Sequence, residues 1–388
     1  MKFVYKDLLT FLSEKPSIED ISDKLFQLGH EHEVDGDIFD IDFTPNRGDC
    51  LSLLGLARDL KVFFGNEKPL EIYNDNINEL DIEFINSSPS NCPKITFLEI
   101  EIEGVIKKYK SYLENYFNIL GNNKTNFFTD ISNYISYEQG QPTHCFDREH
   151  IKNKLIFDYK VCNDSFSTLL GSSITLQGEN CVFINDNKVI SLAGVMGGKT
   201  SACSTETTKV LVECAYFNPE AIIGKSVKYN LNSDAAYRFE RGVDISSHDK
   251  VLRRFIKIVQ DHSSIKEMKI KTFSEKSFQN LKIPFDIKAI NSILGIDIDK
   301  GEYLDYLTNL GFVIENNFIV VPSYRHDISS QNDLAEEIAR VKGYDSIESK
   351  KINLKKNIKI QDDRPSLIAN FLIKNGFTEV INFPFTSL

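Results

Sequence analysis

The sequence predicts a multidomain α+β protein, and three observations support this. At 388 residues the chain has room for roughly two to four domains, each with its own core. Strand and helix patterns alternate from Cys92-Pro93 to about residue 270. From residue 284 the order becomes helix, helix, hairpin, which suggests a small winged-helix-like domain. The composition, 41% hydrophobic and 26% charged, is that of an ordinary globular chain. No run of 18 apolar residues occurs, so no membrane span is expected. The start, MKFVYKDLLTFLSEKPSIED, has a short apolar patch broken by charges and no small-residue cleavage site, unlike a secretory signal. Cys50, Cys92, Cys145, Cys162, Cys181, Cys203 and Cys214 form no CxxC pair. That suits a reducing cytoplasm and suggests no zinc site. A net charge of −11 argues that any RNA contact leans on a partner. Local basic runs remain at Lys107, Lys108 and Lys110 and between residues 350 and 359.

Residues 1–65 read as the first unit. Ile21, Leu25 and Leu28 share one face of a helix expected over residues 18–28, and Gly29 ends it. Residues 39–43 alternate as a short strand. Residues 33–37 run straight into that strand, and a five-stranded barrel cannot fit in such a gap. Residues 44–60 read TPNRGDCLSLLGLARDL. Asp49 can cap a helix whose apolar residues are Leu51, Leu54, Leu56 and Leu60. Asn46, Arg47 and Asp49 fit a cluster that ties the loop together better than a catalytic group. Residues 66–84 are polar, rich in Asn and Glu, and read as a linker.

Residues 85–275 read as the second unit. A strand is expected over residues 95–105 and a helix over residues 130–137. GQPTHCFD follows at residues 140–147, and a lone histidine such as His144 is ordinarily a hydrogen-bonded core or loop residue. Residues 182–185 and 188–192 are strands joined at Asp186-Asn187, a hairpin signal. The central stretch, residues 192–244, reads LAGVMGGKTSACSTETTKVLVECAYFNPEAIIGKSVKYNLNSDAAYRFERGVD. Gly194, Gly197 and Gly198 make a glycine-rich turn. Glu213 is the one carboxylate on a strand with Val210, Leu211, Val212 and Cys214. Such an acid is costly to bury unless something binds it, and neighbouring glycines allow close approach of backbone or ligand. From the residues alone, an ion pair with a nearby arginine outweighs a pocket. Asn218 as N-cap and Pro219 at N1 start a helix, whose apolar positions Ile223, Val227 and Leu231 recur every four residues. Asn232-Ser233-Asp234 is a polar loop. Val251, Phe255 and Val259 mark one face of a closing helix.

Residues 284–350 read as the third unit. Helices are expected over residues 287–294 and 302–310, with Gly295 and Gly311 at left-handed C-terminal caps. Strands follow at residues 312–314 and 318–321, around Asn316-Asn317. Residues 321–347 read VPSYRHDISSQNDLAEEIARVKGYDSI. Asp333, Glu336 and Glu337 share one helix face, and Leu334, Ile338 and Val341 the other. Asp327 lies six residues before Asp333. Four carboxylates suit a hard cation such as magnesium. Spacing alone favours a solvated acidic face, with Glu336 paired to Arg340 and acids stabilised at the helix start. Residues 360–388 open a further unit, with a helix over residues 366–374 and a strand over residues 378–382.

Several of these stretches resemble the bacterial phenylalanyl-tRNA synthetase beta subunit. TPNRGDCLSLLGLARDL resembles its amino-terminal domain. AGVMGG, the strand with Glu213 before Ala-Tyr-Phe-Asn-Pro, and SDAAYRFERGVD resemble its editing module. VPSYRHDISSQNDLAEEIARVKGYDSI resembles its acidic-helix region. The matches run in order over nearly the whole chain. The resemblance implies a beta subunit with a mixed α/β editing module, but lacking the inserted oligonucleotide-binding domain and the carboxy-terminal domains. It implies a cytoplasmic heterotetramer, alpha2beta2, with tRNA(Phe) as partner. The alpha subunit then charges tRNA(Phe) with phenylalanine, and ATP is a substrate of the assembled enzyme. A magnesium ion shared with the alpha subunit is implied at Asp327, Asp333, Glu336 and Glu337. An editing pocket that hydrolyses tyrosyl-tRNA(Phe) is implied at His144 and Glu213, with Asn133, Gly194, Gly197, Ser233 and Ala235 binding substrate. Ser233 stands where the family is expected to carry Thr. Two other readings stay open: a free-standing hydrolase built on residues 85–270, and a non-catalytic assembly fragment or paralogue.

Overall fold

The computed structural model describes residues 1–65, 68–152, 154–169, 171–275, 278–349 and 362–385. They fall into two compact units, Met1–Ile347 and Glu348–Leu388. The first opens with β1 (Lys2–Val4) and α1 (Tyr5–Leu8). In α2 (Ile18–Gln27), Ser17 and Asp20 form a reciprocal capping box. Gly29, with φ of +82°, ends it as expected. β2 (Glu31–Asp35) and β3 (Ile38–Asp42) form a hairpin through Gly36 and Asp37, in a sheet ordered β1-β3-β2. α3 (Leu53–Phe64) is capped by Ser52, whose hydroxyl accepts the Gly55 N–H at 3.0 Å. The cap expected at Asp49 is not made. A 3-10 turn at Gly48–Cys50 delays the helix, and Arg47 takes the Asp49 carboxylate instead.

Residues 68–84 do more than link: they supply β4 (Asn78–Glu79), buried Leu80 and the start of β5 (Phe84–Asn86). The chain continues through β6 (Lys94–Ile102), α4 (Ser111–Leu120), α5 (Phe127–Gln139), β7 (Thr143–Asp147), β8 (Leu155–Cys162), β9 (Ser165–Ser167) and β10 (Ser173–Thr175). β11 (Gly178–Asn185) and β12 (Lys188–Leu192) form the expected hairpin, with positive φ at Asp186 and Asn187. After β13 (Met196–Gly197) and β14 (Lys209–Tyr216) come α6 (Pro219–Ile222), α7 (Lys225–Lys228), α8 (Asp234–Phe239), α9 (His248–His262) and β15 (Ile265–Ser274). The single helix expected through Ile223, Val227 and Leu231 is broken. Gly224 has φ of +76°, Ile223 and Val227 are exposed, and only Leu231 is buried. Their spacing of four is not a core stripe.

Two five-stranded sheets result, β13-β12-β11-β8-β5 and β4-β15-β6-β14-β7. The second divides two cores by strand parity. Ile95, Phe97, Leu211 and Ala215 face the core shared with the first sheet. Leu98, Ile100, Val210 and Val212 face the other core, where Val251, Phe255 and Val259 of α9 pack as expected. β6 and β14 thus contribute apolar side chains to both cores, so apolar residues stand at successive positions such as Val210, Leu211 and Val212.

β16 (Lys282–Pro284), α10 (Ile287–Leu294), α11 (Lys300–Asn309), β17 (Val313–Glu315), β18 (Phe318–Val320) and α12 (Gln331–Lys342) complete the unit. The sheet order is β16-β18-β17, and β16 was not legible as a strand. Gly295 and Gly311 both have positive φ where the helices end. Ile290, Tyr303, Leu307, Phe312, Ile319, Leu334 and Ile338 form the local core. The second unit holds α13 (Arg364–Lys374). The strand expected over residues 378–382 is not formed; no partner strand is present among the described residues of this unit to pair with it. The basic run at residues 350–359 lies outside the described residues.

Candidate active site

Strand parity aims Glu213 between the two large sheets, on the side of Leu211 and Ala215. Its register partner on β7 is His144. Both side chains line a recess of about 370 Å³, mouth included, with Gly194, Gly197, Ala235, Phe217 and Phe239 among its walls. Glu213 is 4% exposed. Among the described residues its carboxyl has no ion pair. The arginines considered as partners are engaged elsewhere. Arg238 holds Asp234 and the Leu51 carbonyl, and Arg241 lies over the Tyr237 ring. Burial alone pushes the Glu213 carboxyl up to about 8. Burial also lowers His144, to about 4. The imidazole packs edge-on against Phe146 at 4.4 Å, and its Nε2 has no hydrogen-bond partner among the described residues. The isolated pocket at pH 7 is therefore lined by a neutral imidazole and a mostly protonated carboxyl.

The opposing shifts give separable pH signatures. Folded Glu213 keeps a proton between its ordinary 4.5 and about 8, so its contribution to stability falls as pH rises through that window. Folded His144 stays neutral between about 4 and its ordinary 6.5, so its contribution rises with pH there. Between pH 6.5 and 8 only the Glu213 slope remains of these two. Glu213→Gln should flatten the fall in melting temperature over that interval. An unchanged slope would show that the carboxyl is not held protonated.

The glycines have identifiable reasons. A Cβ on Gly197 would lie 2.3 Å from His144 Cε1, and one on Gly194 (φ +71°) would lie 2.9 Å from Phe217. Gly197→Ala should therefore displace the imidazole, at a stability cost of about 1–3 kcal/mol for overpacking. Chemical denaturation and the His144 ring resonances check this; an unmoved ring would exclude the contact. Ser233 caps α8, accepting the Ala236 N–H at 3.1 Å, and donates its hydroxyl to the Val195 carbonyl at 2.6 Å. It thereby ties the glycine turn to the helix that carries Ala235. Asn133 is not brought to the pocket: it lies exposed on α5, and its carbonyl accepts from Tyr116. The adjacent Ser132 instead bonds Thr143, which lines the recess. Phe217 and Phe239, 5.0 Å apart, were missed as walls. The spacing of Ala235 and Phe239 on one helix face was the available signal.

The four acids of the third unit do not converge. Asp327 accepts two hydrogen bonds from Arg325, at 2.9 and 2.8 Å. Glu337 is buried between Arg325 and Arg340. Asp333 caps α12 with Ser329 and Ser330. Glu336 is exposed, and the pair expected between Glu336 and Arg340 is replaced by Arg340 with Glu337 and Asp59. As they stand, these residues do not fit magnesium, because guanidinium groups occupy two of the carboxylates. Among the described residues the metal-compatible group is His30, Cys50 and Asp59, all within 4.8 Å. Asp59 there is already held by Arg47 and Arg340, and burial pushes the Cys50 thiol up.

Residues 95–264 match the B3/4 domain and residues 283–344 the tRNA synthetase B5 domain. The chain is 32% identical over 368 residues to the phenylalanine--tRNA ligase beta subunit of Ehrlichia canis, covering 90% of this chain and 45% of that protein. The same subunit of Psychrobacter arcticus is 32% identical over 368 residues, covering 91% and 46%. A solved N-terminal fragment of the phenylalanyl-tRNA synthetase beta subunit from Pyrococcus horikoshii covers 88% of this chain and 99% of its own. That fragment is 14% identical, with a TM-score of 0.49. The chain spans about half the length of the curated relatives it matches. Over that span it carries the B3/4 and tRNA synthetase B5 domains and is similar to phenylalanine--tRNA ligase beta subunits.

Proposed function

We propose that the recess is a hydrolytic editing pocket for mischarged tRNA, with tyrosyl-tRNA(Phe) as substrate. In this reading the chain acts in the cytoplasm beside an alpha subunit that charges tRNA(Phe) with phenylalanine at the expense of ATP. One observation carries it: among the described residues Glu213 is buried without an ion pair, opposite a His144 whose Nε2 has no hydrogen-bond partner, in a recess walled by Phe217, Phe239 and Ala235. Phenylalanine and tyrosine differ by one hydroxyl, and a hydrophobic synthetic pocket rejects an added hydroxyl poorly. A second site that hydrogen-bonds that hydroxyl selects the error. The Glu213 carboxyl supplies the bond, as acceptor when ionised and as donor or acceptor when protonated. Phe217 and Phe239 flank the ring, and Ala235 leaves it room. His144 Nε2 holds the attacking water or the ester. Water adds to the ester carbonyl, the carbonyl carbon–ribose oxygen bond breaks, and the released ribose oxygen takes a proton. No described helix is long and apolar enough to cross a membrane.

The test is deacylation by the chain assembled with its alpha partner, with tyrosyl- and phenylalanyl-tRNA(Phe) in parallel. Loss of tyrosine with retention of phenylalanine is expected. Equal clearance, or none of either, would sink the reading.

A further inference from the structure

The three stretches most recognisable in the sequence meet at one place, remote in sequence but adjacent in space. A Cβ on Gly48 would lie 2.6 Å from the Arg241 carbonyl oxygen, and one on Gly242 2.7 Å from the His326 ring. His326 Nε2 lies 2.9 Å from the Val243 carbonyl. The Arg58 guanidinium lies 3.7 Å from the Tyr324 ring centroid. Beneath these contacts, Asp59 accepts from His30 at 2.8 Å, from Arg47 at 3.1 Å and from Arg340 at 2.6 Å. Arg47 also grips Asp49, and Arg340 donates to the Leu28 carbonyl at 2.9 Å. Arg325 and Arg340 meet on Glu337, and Arg325 also holds Asp327.

We propose that Asp327 and Glu337 are internal counter-charges of a buried arginine junction that fastens α12 to α3, and that this fastening needs no divalent cation. Both oxygens of each carboxylate already accept guanidinium N–H groups. A magnesium ion demands near-octahedral oxygens at about 2.0–2.1 Å. To bind here it would have to displace Arg325 and sit beside three guanidinium groups, against their charge. Removing one partner from such a network leaves the others buried and uncompensated. The junction accounts for why Glu337 is buried and Asp327 half-buried while Glu336, one residue from Glu337, faces solvent.

The test is thermal melting of the full chain with added magnesium or with EDTA, beside calorimetric titration with magnesium alone. The wild type should melt identically in both buffers and bind no magnesium. Glu337→Gln should lower the melting temperature by roughly 5–10 °C, equally in both buffers. If that variant fails to fold, Asp327→Asn at the rim of the junction should give a smaller, equally magnesium-independent drop. Exposed Glu336→Gln should melt as the wild type does. A rise in wild-type melting temperature with magnesium, abolished by Glu336→Gln or Asp327→Asn, would overturn the proposal.

Discussion

Glu213→Ala should reduce the preference for tyrosyl- over phenylalanyl-tRNA(Phe) by about 10- to 100-fold, the worth of one hydrogen bond to a buried, chargeable group. The loss should fall on clearance of the tyrosyl ester, because phenylalanine offers this carboxyl nothing to bond. The fold should survive. Glu213 holds no cation among the described residues, so its removal orphans no charge and relieves a buried carboxyl of its desolvation. Glu213→Gln keeps a carbonyl acceptor and should retain part of the preference. The variants need parallel deacylation time courses and thermal melts. Parent rate and selectivity in Glu213→Ala would end the acceptor role. Lost activity with a collapsed melting temperature would point to a structural part instead.

Asp59→Ala should destabilise the first unit by about 3–5 kcal/mol, the range for breaking a buried ion network from one side. The residue is 3% exposed and accepts from His30, Arg47 and Arg340. Desolvation opposes its charge, but the arginines outweigh it and hold the carboxyl well below the usual carboxylate range. Alanine leaves two guanidinium groups with fewer acceptors in a space closed to water. Denaturant unfolding measures the loss. A change under about 1 kcal/mol would mean that solvent enters and replaces the carboxylate.

The comparison of sequence and structure divides along physical lines. Local chemistry was legible wherever the chain satisfies its own backbone. The Asp186-Asn187 turn, the glycine caps after α10 and α11, and the Asn218 cap all depend on residues within a few positions. Misreadings arose where a nearby competitor intervened. Gly224 broke a helix that the spacing of Ile223, Val227 and Leu231 suggested, and Arg47 took Asp49 from its cap. Asn133 lay one residue from the position whose side chain reaches β7.

By itself, the sequence determined that one carboxylate, Glu213, stands on an apolar strand beside a glycine turn, and that four acids gather before and along one helix. It also determined the alternation of elements that makes an α+β chain. The roles of those acids were decided by tertiary structure. Antiparallel register placed Glu213 opposite His144, and strand parity turned it into the gap between two sheets, where no cation among the described residues follows it. Folding brought Arg47 and Asp59 from the amino-terminal end against Arg325, Glu337 and Arg340. Spacing along a chain fixes which face a side chain occupies, but the partner that neutralises a buried charge comes from wherever the fold places it.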